Sequence, residues 1–251
     1  MTDSYSFVDA HTFRRLRHIP GQPLTYVQNP KVATKSIELS LWKAFDPNVA
    51  PLNPHAEKIT PFIRGRRLDA RAIQSLRDSQ FFSVVRNPYS RFLSGYLNKV
   101  KRRGPWRNKT SHRFGVEGTP APSIEEFLEI VKAADLHSMD PHFRPQYINL
   151  LHGPISLDHV GYFEQMDAVG QYLLRYGITL LDNKLNSTGV GTTRQTDTLS
   201  ARAIELIQDI YQADFEIYGY SKDPDERQPV TPLKSMPRNR ETLERYLAAQ
   251  E

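Results

Sequence analysis

The stretch YVQNPKVATKSIELSLW, Tyr26 to Trp42, decides how the chain is read. A hydrophobic run (Leu24, Tyr26, Val27) meets Asn29-Pro30, then Lys31, then small and hydroxyl residues, then apolar residues at helical spacing. The order is strand, turn, helix, with a lysine in the turn. A nucleotide-binding P-loop has the form G-x-x-x-x-G-K-[ST], whose glycines let backbone amides close around phosphate. Here no glycine stands between Gly21 and Gly65. A strand-to-helix turn still aims the unpaired amides of the helix N-terminus at an anion. Lys31 adds a full charge there, and Thr34, Lys35 and Ser36 add donors. The plain alternative for Lys31 by itself is a basic residue in an ordinary turn.

Working outward, residues 24–28 read as a buried strand, and 36–45 as a helix with Ile37, Leu41 and Ala44 on one face. Residues 46–66 are proline-rich and irregular, and 68–77 read as a helix. FFSVVR (81–86) is a continuous apolar run of the parallel-sheet kind. Asn87-Pro88 ends it, and 89–100 continue as a helix. The segment 101–122 is a basic loop interrupted by Gly and Pro, longer than a compact domain carries without a use for it. Ser123 caps a helix over 124–133, with Glu126 at the capping-box position. DHVGYFE (158–164) is a third strand, a helix follows over 166–176, and Thr198 or Ser200 opens a long helix to about residue 213. Strands alternating with helices predict an α/β fold with a mainly parallel central sheet flanked by helices. Ligands of such sheets sit off the carboxyl ends of the strands, where both Lys31 and Arg86 fall. One domain is expected over 1–225, followed by a polar, proline-punctuated tail over 226–251.

The bulk numbers narrow the partners. The chain has 251 residues and a formal net charge of +5, which suits an anionic ligand, an acidic polymer or nucleic acid. Its 39% hydrophobic residues suffice for a sizeable core. The absence of cysteine excludes disulfides, thiolate zinc sites and a cysteine nucleophile. The N-terminus lacks a basic-then-apolar signal pattern, and no window approaches ~18 apolar residues. The expectation is a cytoplasmic protein with no membrane span.

The second motif is VVRNPYSRFLSGYLNK, residues 84–99. Arg86 leaves the strand tip, where a guanidinium can clamp a phosphate through two parallel hydrogen bonds. Ser94 follows two turns along the next helix, so its hydroxyl can face the same anion. Arg91 and Lys99 fall on other faces and read as solvated surface residues. Taken alone, Arg-x-Pro after a strand is common punctuation.

Together, PKVATKS and the later RNPYSRFLSGYLNK resemble the sulfotransferases that use 3′-phosphoadenosine-5′-phosphosulfate (PAPS). DPHFRPQ (140–146), VGYFEQM (160–166) and YQADFEIYGY (211–220) are most similar to the carbohydrate sulfotransferase branch. The resemblance implies a P-loop-like three-layer fold, PAPS as donor, adenosine 3′,5′-bisphosphate (PAP) as product, and an acceptor hydroxyl on a carbohydrate. It implies that Lys31, Val32, Ala33, Thr34, Lys35 and Ser36 cradle the 5′-phosphosulfate, and that Arg86 and Ser94 hold the 3′-phosphate. It also implies a second cofactor-contacting loop within 186–195, with Ser187, Thr188 and Arg194 as partners. The chain departs from the family where Ala33-Thr34-Lys35-Ser36 replaces the more usual Gly-Thr or Cys/Ser pair.

Sulfuryl transfer needs in-line positioning and charge stabilisation on the leaving oxygen. Lys31 is assigned to that charge and Lys35 stands second. No metal is called for, and no cluster of His, Asp and Glu has metal-ligand spacing. For the base that takes the acceptor proton, His55 and His142 stand level, with Glu57 behind them. Against a role for His142, Asp140 and Pro141 read as the cap and first position of a helix. In favour of that role, such a helix end would lower the histidine's pKa and keep a base neutral. His11, His18, His112, His137, His152 and His159 read as surface or packing residues, and Trp42, Phe45, Tyr211, Phe215 and Tyr218 as core aromatics. The rival readings are a P-loop-like kinase, disfavoured by the missing Walker glycines, and nucleic-acid binding through the 101–113 loop, which contains no groove-reading motif.

Overall fold

The computed structural model of the protein describes residues 15–48, 60–63, 69–102, 110–136, 138–150, 156–181, 199–236 and 241–248. Its strands are β1 (Leu16–His18), β2 (Leu24–Val27), β3 (Gln80–Val85) and β4 (His159–Tyr162). Its main helices are α1 (Thr34–Phe45), α2 (Ala70–Asp78), α3 (Pro88–Tyr96), α4 (Ile124–Ala133), α5 (Gln146–Leu150), α6 (Met166–Leu174), α7 (Ala201–Ile210), α8 (Gln212–Ile217) and α9 (Glu241–Ala248). A π-helical turn, Leu97–Lys101, extends α3. The chain forms two compact units, one from Met1–Val85, Leu150–Ser187 and Lys234–Glu251, the other from Arg86–Asn149 and Thr188–Leu233.

The first unit holds the sheet, in the order β1-β2-β3-β4. β2, β3 and β4 run parallel, with Tyr26 opposite Phe82 and Phe82 opposite His159. β1 pairs antiparallel with β2, Leu16 opposite Val27, so the sheet is mainly parallel with one reversed edge. Strand β1 has no counterpart among the expected elements, because LRH is too short to show a period. Every residue of β2 is buried, as a strand covered on both faces requires. The rings of Tyr26, Phe82 and Tyr172 pack at a tilt across the core, with centroids 5.2 and 5.8 Å apart. Ile37, Leu41 and Trp42 pack one face of α1 into it. Full burial of such a side chain contributes roughly 1.5–3 kcal/mol. Phe45, expected in the core, instead stands about half exposed at the end of α1.

The free edge of β4 is covered by residues read as polar tail: Val160 N–H donates to Lys234 C=O (3.0 Å), and Met236 N–H to Leu157 C=O (2.9 Å). Helix α9 then buries Leu247 and pairs Glu244 with Arg77 at 2.8 Å.

The second unit is helical around an aromatic core. Phe127 meets Phe143 at 4.7 Å and Phe114 at 5.3 Å, and Phe92 lies 6.2 Å from both Phe127 and Phe143. The capping box at Ser123 and Glu126 is formed as expected. The long helix opened by Ser200 breaks at Tyr211, after α7, and resumes as α8. That break serves the core: Tyr211 Oη donates to Phe143 C=O at 2.7 Å.

Candidate active site

The loop after β2 is built without glycine, and its backbone shows how. Lys31 (φ 75°) and Ala33 (φ 62°) both occupy the left-handed region, the only non-glycine residues to do so among those described. Val32 between them is fully buried and not left-handed. An alternation of this kind turns successive amides toward one side, forming a concavity for an anion. Each left-handed residue with a Cβ costs on the order of 1–2 kcal/mol, which the surrounding contacts must offset. Those contacts are explicit. Asn29 Nδ2 donates to Val84 C=O at 3.0 Å, and Thr34 Oγ1 donates back to Asn29 C=O at 2.6 Å. Thr34 therefore holds the turn together, and its one O–H, expected as a donor to the anion, is spent on the Asn29 carbonyl.

Ala33 stands at the N-cap of α1 and offers no side-chain cap, so the first amides of the helix depend on another partner. Ser36, in the first turn of α1, is wholly buried, and its Oγ has no hydrogen-bond partner among the described residues. A buried hydroxyl left in this way costs about 1–3 kcal/mol. Lys31 and Lys35 are half-buried at the same loop. The loop is entered through Gln28, whose Nε2 donates to the buried Glu38 of α1 at 2.9 Å. Arg17 of β1 closes that triad, with Nε on Glu38 and Nη2 on Gln28, both at 2.9 Å. The sequence carries no local signal for this triad, because it joins a strand, a loop and a helix.

Arg86 follows the last residue of β3. Its side-chain Nε donates to Ser90 Oγ at 2.9 Å, and Ser90 in turn bonds Asn87 C=O at 3.2 Å. Ser90 and Ser94 are four residues apart on α3 and share a helix face, and Ser94 is half-buried there. Asn87 caps the helix through Tyr89 N–H at 3.0 Å, with Pro88 at the first helical position. The main chain of Arg86 is gripped on both sides by Gln146: its N–H donates to Oε1 and its C=O accepts from Nε2, each at 2.9 Å. Ser90 was missed as a partner of Arg86, although its spacing of four was visible.

Arg91 is a correction. It is almost fully buried, and its Nη2 donates to Pro141 C=O at 3.1 Å. Burial lowers its pKa, and the nearby Asp214 carboxylate works against that. Asp214 is itself fully buried and accepts from Gln146 N–H (2.7 Å) and Tyr147 N–H (2.9 Å) at the start of α5. Desolvation raises its pKa to about 6, opposed by Arg91 and those amides.

His142 lies in a turn, not at the helix start expected, since α5 begins only at Gln146. The Asp140 carboxylate accepts the His142 N–H (2.9 Å) and its Nδ1–H (2.6 Å) through Oδ1, while Oδ2 accepts from Arg113 Nη1 at 2.7 Å. Burial by itself would raise the Asp140 pKa, but the His142 hydrogen bond and the charges of His142 and Arg113 hold it well below the usual range. An ionised carboxylate can only accept, so Nδ1 carries the proton and the lone pair of the neutral ring sits on Nε2. The imidazole is partly exposed, with Asp140 buried behind it. This is the arrangement of an oriented base. His11, His55, His137, His152, Ser187, Thr188 and Arg194 lie outside the described residues.

Among the described residues no group of His, Asp and Glu is arranged to hold a metal, and no helix is long and apolar enough to cross a membrane. Residues 20–221 match the family model described as the Sulfotransferase family. No curated protein and no solved structure matches the chain.

Proposed function

The chain belongs to the sulfotransferase family, and from that premise we propose that it moves a sulfuryl group from PAPS to an acceptor hydroxyl on a carbohydrate. When bound, PAPS supplies an SO3 group on a phosphate leaving group. The observation that carries this reading is the loop after β2: two left-handed residues and an uncapped helix start, with Lys31 and Lys35 half-buried at the same loop. These are the groups a phosphosulfate would satisfy. Lys31 neutralises charge gathering on the leaving oxygen, with Lys35 and the loop amides assisting. Arg86 and Ser94 are assigned to the 3′-phosphate. His142 accepts the acceptor proton at Nε2, and Asp140 stabilises the imidazolium that results.

Retention on a PAP resin tests the donor assignment: PAP should elute the protein and ATP with magnesium should not. Elution by both would favour a phosphotransferase. For the base, His142→Gln should lower kcat by about 10²–10⁴-fold while leaving donor binding unchanged. Asp140→Asn should shift the acidic limb of the pH–rate profile downward, because the imidazolium loses its carboxylate. An unaltered profile would return the role to another residue.

A further inference from the structure

We propose that Gln146 is the positioning residue of the donor's 3′-phosphate site, acting through the backbone of Arg86 and touching no ligand itself. The inference rests on the assignment of Arg86 to that phosphate. Gln146 is completely buried and brackets one residue, taking Arg86 N–H and giving to Arg86 C=O, both at 2.9 Å, while its side chain also hydrogen-bonds the Asp214 carboxylate. It thereby does for a single residue what a neighbouring strand does for a ladder pair. The need arises because Arg86 stands one place beyond Val85, the last residue of β3. A tilt of that peptide swings the Cα–Cβ bond and carries the whole guanidinium with it.

Gln146 is itself held. Its own N–H donates to Asp214 Oδ2 at 2.7 Å, and Tyr147 N–H donates to Oδ1 at 2.9 Å. Further out, Ser90 fixes Nε of Arg86. The guanidinium is therefore fixed at its root by Gln146 and at its neck by Ser90. A phosphate clamp needs such placement to within about half an ångström. Removing Gln146 would leave the fork charged and present but aimed loosely.

The test is calorimetric binding of PAP and of adenosine 5′-phosphate, which lacks the 3′-phosphate, to the full chain. The proteins are the wild type, Gln146→Met, Gln146→Glu, Arg86→Ala and the Arg86→Ala/Gln146→Met double variant. Gln146→Met keeps length and loses both bonds, whereas Gln146→Glu keeps the acceptor oxygen and loses the donor. Each Gln146 variant should weaken PAP by about tenfold or more and adenosine 5′-phosphate by less than about twofold. The double variant should bind PAP no more weakly than Arg86→Ala alone, because both act through one contact. If Gln146→Met does not fold, the PAP to adenosine 5′-phosphate ratio of Gln146→Glu decides. An unchanged ratio in the folded Gln146 variants, with Arg86→Ala losing PAP selectively, overturns this proposal alone. An Arg86→Ala protein that keeps the wild-type ratio overturns the 3′-phosphate assignment, and the proposal with it.

Discussion

Ala33 shows how a strand-to-helix turn can dispense with glycine. Its φ of 62° places a Cβ where the chain resists one, and Lys31 two residues earlier does the same at 75°. The hydrogen bonds of Asn29 and Thr34 hold the turn in place. Ala33→Gly should therefore leave stability within about 0.5 kcal/mol of wild type in urea unfolding, since relief of strain offsets the entropy glycine adds to the unfolded chain. A loss near 1 kcal/mol, as in a helix interior, would mean the position is unstrained. His18 illustrates a second residue-scale effect. It is fully buried, with Nε2 on Ser75 Oγ at 2.8 Å and Nδ1 near Thr25 Oγ1 at 2.9 Å. Burial lowers its pKa from 6.5 to about 4, partly opposed by the Leu24 carbonyl. The folded state thus keeps a neutral ring while the unfolded chain takes a proton below pH 6.5. Stability present above that pH is lost as pH falls toward 4. The stability gap between wild type and His18→Gln should narrow by up to about 3 kcal/mol between pH 7 and pH 4. A constant gap would show that the ring is protonated or accessible in the fold.

At the scale of elements, what was legible follows local chemistry. The apolar runs of β2 and β3, the Ser123 capping box and the Asn87-Pro88 helix start all carry their signals within a few residues. The misses required partners far along the chain. Arg91 reads as a surface residue by helical position, but the carbonyl of Pro141 and the carboxylate of Asp214 draw it inside. Asp140-Pro141 reads as a helix cap because Asp-Pro suits cap and turn alike, and the Arg113 and His142 contacts tell them apart. Close packing between elements is just as hidden in a sequence. Gly161 in β4 lies where an added Cβ would come within 2.7 Å of Val169 Cγ2 on α6 and 3.4 Å of Val84 Cγ2 on β3. Gly161→Ala should cost about 1–3 kcal/mol by overpacking, read as a lower urea midpoint. A midpoint at or above the wild-type value would show that α6 yields freely.

Across the whole molecule, the chain places its recognisable chemistry at strand exits: the lysine loop after β2 and Arg86 after β3. Arg86 and His142 share one further feature. Both are anchored through the 140–146 segment, His142 by Asp140 and Arg86 by Gln146. Substrate chemistry was less legible than fold, because the acceptor is chosen by side chains that no motif names. Under the proposed function, Lys31 and Arg86 are each required for transfer from PAPS. The most direct measurement of that requirement is transfer of radiolabelled sulfate from PAPS to a panel of carbohydrate acceptors by wild type, Lys31→Ala and Arg86→Ala, with circular dichroism confirming each fold. The expected result is transfer by the wild type and none detectable by either variant. Near-normal turnover by either variant at low donor concentration would contradict it.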